Sequence, residues 1–210
     1  MKKRYIALIA IATALCIAGS IAVFLFVGVP NGNYGFSAEL SFEEQELRMS
    51  VISAAEKWIG SNETDGTHQG IIDLYNSHEP LAAGYKVTYE DSWCATFGSA
   101  AAIHAGLTEI IPTECSCQRQ IALFQELGRW EEDDNYLPQP GDYIFYAWDD
   151  QVWGDCTGWA DHVGIVVGTW GPFIKVIEGN MNDQVGYHYI LRNDPTIRGY
   201  GLPDYASKFE

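Results

Sequence analysis

Cys94 stands where the start of a helix would activate its thiol. Ser92 is a favourable N-cap residue, and the small and apolar residues after it predict a helix that ends at Gly106. Cys94 would then lie in the first turn, where unpaired backbone N–H groups and the helix dipole favour a thiolate. The spacing therefore indicates a nucleophilic thiol, and a small buried side chain is the alternative interpretation.

His162 and Glu178 lie on two β-branched segments that predict a hairpin. With the loop centred on Trp170, His162 falls directly opposite Glu178, within reach of a hydrogen bond between imidazole and carboxylate. Asn180 shares the face of Glu178 because side chains alternate along a strand. A histidine oriented by a carboxylate or an amide is the base that a thiol nucleophile requires. A surface His–Glu pair that contributes little energy is the alternative.

Four segments, in this order, resemble the motifs of the CHAP family. These cysteine, histidine-dependent amidohydrolases/peptidases are related to the NlpC-type cell-wall peptidases. The resemblance covers about residues 42–205 and implies a papain-like α+β fold. The segments are SWCATF at 92–97, PGD at 140–142, DHVGIV at 161–166 and IEGN at 177–180.

The resemblance also implies a reaction, the cleavage of amide bonds in bacterial peptidoglycan by a muramoyl-alanine amidase or a peptide endopeptidase. The nucleophile of the family corresponds to Cys94 and its general base to His162. Its orienting residue corresponds to Glu178, with Asn180 close enough to share that role. A thioester acyl-enzyme would form and be released by water. If an amine replaced water, the protein would be a papain-like acyltransferase.

Aromatic residues near these segments are candidates for contact with a glycan or a stem peptide, and packing in the core or at the rim is the alternative. An acidic residue directly before His162 is a further candidate. The set comprises Trp93 beside Cys94 and, in the segment before His162, Trp148, Trp153, Trp159 and Asp161.

The remaining cysteines allow at most one disulfide. Cys115 and Cys117 are too close in sequence to pair comfortably, so the bridge to test is Cys115 with Cys156, and Cys117 is expected beneath the cleft. One Cys-x-Cys pattern without a second pair is a weak zinc signal, and the acidic loop before His162 is a weak calcium signal. The sequence therefore predicts no metal site and no cofactor.

Helices are predicted first along the chain and strands afterwards. This order predicts an α+β fold in which N-terminal helices pack on a C-terminal antiparallel sheet. The predicted helices begin at a capping box at Ser41, at Asp91 and at Cys117. The predicted strands are residues 143–146, 162–167, 173–178, 185–191 and 197–200.

The N-terminal 30 residues have a different character from the rest of the chain. No charged residue lies between Tyr5 and Val29, and three basic residues precede this stretch. Its length predicts a membrane anchor with the following domain outside the cytoplasm, and a cleaved secretion signal is the alternative. The chain is thus divided into an anchor or signal segment (1–30), a linker (31–40) and a CHAP-like catalytic domain (41–210).

The charge balance limits the partners. The chain has 12 basic and 28 acidic residues, a net charge of −16, which excludes general binding to nucleic acid. The expected partners are a peptidoglycan stem peptide or glycan-peptide and, through the N-terminal segment, the membrane. Anchoring suggests local wall opening for a secretion or conjugation apparatus in the cell envelope. A catalytically silent peptidoglycan-binding or assembly subunit is the alternative from another functional class.

Overall fold

The structure, a computed structural model, describes residues 35–37, 39–148 and 156–209. The predicted anchor (1–30), part of the linker, and Trp153 lie outside these residues. No helix within the described ranges is long and apolar enough to cross a bilayer.

Within the described residues, four α-helices precede a six-stranded antiparallel sheet, so the predicted α+β order is confirmed. Neither α2 nor the short strand β1 was predicted. The strand order is β1-β6-β2-β3-β4-β5. The helices are α1 (Phe42–Glu56), α2 (Gln69–Asn76), α3 (Cys94–Ala105) and α4 (Cys117–Glu126). The strands are β1 (Trp130–Glu131), β2 (Tyr143–Tyr146), β3 (His162–Trp170), β4 (Phe173–Met181), β5 (Gln184–Leu191) and β6 (Ile197–Gly201).

Helix α1 is held by a cap at its first turn and by an ion pair to the segment before β2. Ser41 Oγ accepts a hydrogen bond from Glu44 N (3.1 Å), as the capping box predicted. Further along the helix, Arg48 Nη1 donates to Asp142 Oδ1 (2.9 Å) and to Pro140 O (3.1 Å). Because Asp142 is fully buried, removing either partner of this ion pair would leave an uncompensated charge in the core. The PGD segment thus has a structural role, which is to join α1 to the start of β2.

Both faces of the sheet are buried, although only one packs against the helices. Val163, Ile165 and Ile177 belong to the large core beneath α3, as the alternation predicted. Alternation along the two strands predicts that the opposite face, which carries His162 and Glu178, is polar. That expectation is wrong, because Val166 and Val176 on the same face belong to a second, smaller core. His162 and Glu178 therefore interact out of water.

The β3–β4 hairpin has a tighter turn than the sequence suggested. Trp170 pairs with Phe173, and a bulge between Val166 and Gly168 then shifts the register, so that Glu178 lies opposite Gly164. The predicted direct pairing of His162 with Glu178 is therefore wrong by two residues. A shift of two keeps both side chains on the same face, so they still meet diagonally across the hairpin.

Gly179 allows α3 to pack directly on β4. A Cβ atom at this position would lie 2.5 Å from Phe97 Cβ and 2.8 Å from Trp93 Cζ3. We expect Gly179→Ala to destabilise the domain by about 1–3 kcal/mol, because α3 must move away from the sheet. Chemical denaturation measures this effect, and Gly186→Ala is the matched control because a Cβ there meets no atom within 4 Å. Equal stabilities of the two variants would contradict this packing.

Candidate active site

Cys94 is the first residue of α3, so its thiol lies at the helix N-terminus as predicted. Trp93, rather than Ser92, occupies the N-cap position, and its side chain makes no capping hydrogen bond. Cys94 Sγ lies 3.5 Å from Cys117 Sγ and 4.0 Å from the carbonyl oxygen of Asp161. The thiol therefore faces both the start of α4 and the start of β3.

The surroundings of Cys94 favour the thiolate. The hydrogen bond from the Cys117 thiol is the largest influence and lowers the pKa of Cys94. Burial opposes it, but a hydrogen bond and the charge of His162, together with the N–H of Ala95, leave the pKa well below that of an ordinary thiol. Cys117, whose thiol donates to the Cys94 thiolate, has its pKa raised well above the ordinary value.

His162 is the first residue of β3 and is 3% exposed. Burial alone would lower its pKa, but the neighbouring Cys94 thiol and Glu178 carboxylate outweigh burial and raise the pKa to about 9. The lowered pKa of the thiol beside the raised pKa of the imidazole favours transfer of the proton from Cys94 to His162. These surroundings therefore favour a thiolate–imidazolium pair.

Glu178, on β4, holds the other side of the imidazole. Its Oε2 lies 3.6 Å from His162 Nε2, an ion-pair distance slightly longer than a hydrogen bond. Neither atom has a hydrogen-bond partner among the described residues. Although burial by itself raises the pKa of Glu178, the two histidines at this carboxylate lower it to about 2. The lowered pKa favours the ionised form of Glu178, which lies beside the imidazole.

His188, on β5, is the second histidine at this carboxylate, and the sequence motifs did not place it near the site. Its Nδ1 lies 3.3 Å from Glu178 Oε1, and this contact raises the pKa of His188. The side chain is 34% exposed. The sequence signal that could have placed His188 near Glu178 is Asn182-Asp183. Both residues have a positive φ and form a two-residue turn, which sets the register of β5 on β4.

Trp148 covers one face of the His162 ring. The two rings stack with centroids 4.7 Å apart and an interplanar angle of 23°. The backbone N–H of Trp148 donates to Asp161 Oδ2 (2.8 Å), which ties this tryptophan to the residue before His162. Trp148 is 36% exposed and Cys94 is 6% exposed. The thiol is thus almost fully covered, whereas Trp148 presents aromatic surface beside His162.

Three other predicted site residues differ in their exposure to solvent. Asn180 is half-buried and has a positive φ of 59°, at the point where the pairing of β4 with β5 shifts. Within the described residues it makes no hydrogen bond to His162, so Glu178 is the candidate orienting residue that lies beside the imidazole. Trp93 was predicted to contact substrate, but it is fully buried and donates to Glu63 Oε1 (2.9 Å). Trp159 is 74% exposed and remains available to a ligand.

The predicted Cys115–Cys156 bridge is absent from the described residues. Cys115 Sγ lies near Glu114 Oε1 (3.6 Å), whereas Cys156 Sγ lies near the carbonyl oxygens of Ala147 and Thr196. The two thiols therefore belong to different regions of the core. The described part of the chain also contains no cluster of side chains that could hold a metal ion.

Comparison with known proteins yields a structural similarity at low sequence identity. No protein-family model matches the chain, and no curated protein matches it. A solved structure described as an NlpC/P60 family protein from Bacillus cereus ATCC 10987 is similar at 17% identity and a TM-score of 0.43. The similarity covers 74% of this chain but only 40% of that protein.

Proposed function

We propose that the protein is a thiol-dependent amide hydrolase that acts on bacterial peptidoglycan. The observation that carries this proposal is the convergence of Cys94, His162 and Glu178, which pairs a thiolate with an imidazolium held by a carboxylate. Side chains of these three types in this order constitute a thiol triad. The resemblance to the CHAP family, with its papain-like fold, supplies the substrate class.

The proposed reaction begins with the proton already on His162. The Cys94 thiolate attacks the amide carbonyl carbon, and the first N–H groups of α3 stabilise the oxyanion. His162 then gives its proton to the leaving amine, and a thioester to Cys94 forms. Next, His162 removes a proton from water, whose attack releases the acid and restores the thiolate. Throughout both steps Glu178 keeps the imidazole in one orientation.

The charge of the chain and the exposed aromatic residues near His162 fit a substrate that is held by shape and stacking. The net charge of −16 repels anionic polymers, so charge attraction does not recruit the substrate. Trp148 and Trp159 present exposed aromatic surface on the segments before His162. We propose that they contact the glycan or the stem peptide. The proposed location is outside the cytoplasm, with residues 1–30 as anchor or signal.

The test is incubation of purified peptidoglycan with the full chain or with Cys94→Ser, followed by mass spectrometry of the released fragments. Fragments from the wild type alone would support the hydrolase, and their new termini would distinguish an amidase from an endopeptidase. Transfer of an added amine onto the fragments would identify an acyltransferase instead. A folded wild type that releases nothing and transfers nothing would contradict the proposal.

A second candidate is the silent peptidoglycan-binding subunit. The observation in its favour is the low exposure of Cys94 (6%) and of His162 (3%), which leaves little thiol surface for a polymer to reach. Co-sedimentation with peptidoglycan, equal for the wild type and Cys94→Ser and without released fragments, would support this candidate.

A further inference from the structure

Cys117 is the buried thiol next to the proposed nucleophile. It begins α4, as Cys94 begins α3, and the two sulfur atoms are 3.5 Å apart. Both side chains are more than nine-tenths buried, at 6% and 7% exposed. A disulfide has a sulfur–sulfur distance of about 2.05 Å, so the two atoms must approach by about 1.5 Å. Both cysteines lie in the first turn of their helices, and their sulfur atoms are already in contact.

The two thiols also differ in protonation, as an attacking and a resolving cysteine must. The proton shared between them stays on Cys117, because the pKa of Cys94 is lowered and that of Cys117 is raised. A thiolate with a protonated thiol beside it is the arrangement found in redox-sensing cysteines, where the thiolate reacts with the oxidant. No other described thiol has a sulfur atom in contact with Cys94.

We infer that Cys94 and Cys117 form a reversible disulfide that switches the site off when the protein meets a hydroperoxide. This inference rests on the proposed function, because the sulfur that is blocked is the proposed nucleophile. A disulfide at Cys94 removes the thiolate, so the oxidised protein cannot form a thioester. It also protects Cys94, since a thiol in a disulfide does not proceed to the irreversible sulfinic acid.

The chemistry balances with hydrogen peroxide as the oxidant. The Cys94 thiolate attacks one peroxide oxygen, the O–O bond breaks, and the departing hydroxide takes the proton of the His162 imidazolium and leaves as water. The sulfenic acid formed on Cys94 is then attacked by the Cys117 sulfur, so that the S–S bond forms and the S–O bond breaks. The hydroxyl lost from Cys94 takes the Cys117 proton and leaves as a second water. A dithiol reductant reverses the process by thiol–disulfide exchange.

The test uses the full chain in detergent, first reduced and then exposed to hydrogen peroxide, with the remaining thiols labelled by N-ethylmaleimide in denaturant. Digestion after glutamate separates peptide 91–109, which carries Cys94, from peptide 115–126, which carries Cys117. Peptide 115–126 also carries Cys115, so the experiment is repeated in Cys115→Ser. We expect one cross-linked pair of these peptides in both proteins, and its disappearance after dithiothreitol.

Cys117→Ser is the decisive variant, because it lacks the resolving sulfur and keeps a side chain of similar size. It should form no cross-link, and Cys94 should instead gain oxygen atoms that dithiothreitol does not remove. A disulfide from Cys94 to Cys115, or oxidation of Cys94 while Cys117 remains fully labelled, would overturn the inference. The mass readout needs no peptidoglycan turnover. A disulfide in a protein without turnover would therefore refute the hydrolase and retain the thiol pair, and turnover without the disulfide would do the reverse.

Discussion

Cys94→Ser should reduce fragment release from peptidoglycan by a factor of about 10³ or more, the scale at which the loss of a nucleophile acts. A serine hydroxyl is not ionised at neutral pH, and His162 and the N–H of Ala95 stabilise a thiolate far better than an alkoxide. Serine is close in size to cysteine, so the fold should persist. Initial rates of fragment release, measured at equal concentrations of folded protein, give the factor.

The matched control is Cys115→Ser, which removes a half-buried thiol whose sulfur lies beside Glu114 rather than Cys94. It should retain activity within a factor of about 3, as substitutions outside a reacting centre usually do. If Cys94→Ser kept a tenth of the wild-type rate, the thiol mechanism would have to be abandoned.

His162→Ala should be the next most damaging change, because it removes the proton donor and the charge that stabilises the thiolate. We expect a loss of about 10³-fold, within the range for general acid–base catalysis. Glu178→Gln should lose about 10- to 100-fold, since removing one carboxylate charge costs the imidazolium about one to two pKa units. His188→Gln should lose only about 2- to 5-fold, because this partly exposed side chain acts through Glu178.

The pH dependence of the rate is a second measurement that distinguishes these variants. The thiolate–imidazolium pair exists between the lowered pKa of Cys94 and the raised pKa of His162, about 9, so the rate should fall below the first and above the second. Glu178→Gln removes the charge that helps to raise the pKa of His162, so its upper limit should move to lower pH. Equal losses of rate in His162→Ala, Glu178→Gln and His188→Gln, with unchanged pH limits, would contradict the predicted order of their effects.

The sequence predicted the parts of the site that depend on local structure. The start of α3 at Cys94 follows from the small and apolar residues after it, and the shared face of His162 and Glu178 follows from alternation. The exact register of the two strands does not follow from local patterns. The tighter turn and the bulge between Val166 and Gly168 together shift the pairing by two residues, and no local pattern encodes that shift. The diagonal contact survived because the error was an even number of residues.

The contacts that were missed lie between elements distant in the chain. His188 reaches Glu178 only after two turns have set the register of three strands, and Cys117 reaches Cys94 only when α4 packs beside α3. The buried face that carries His162 was also missed, since alternation alone does not show that a sheet is covered on both sides. In contrast, Trp93 shows that position beside a nucleophile does not imply contact with substrate.

The rate of alkylation of Cys94 by iodoacetamide as a function of pH tests the central claim most directly. It would be followed by peptide mass in the full chain, with His162→Ala for comparison. We predict that the wild-type rate is already maximal near neutral pH and declines only well below the ordinary thiol pKa of about 8.5. In His162→Ala the decline should shift to higher pH. A Cys94 that reacts only above that ordinary pKa, or that does not react at all in the folded protein, would contradict an activated nucleophile and favour the binding subunit.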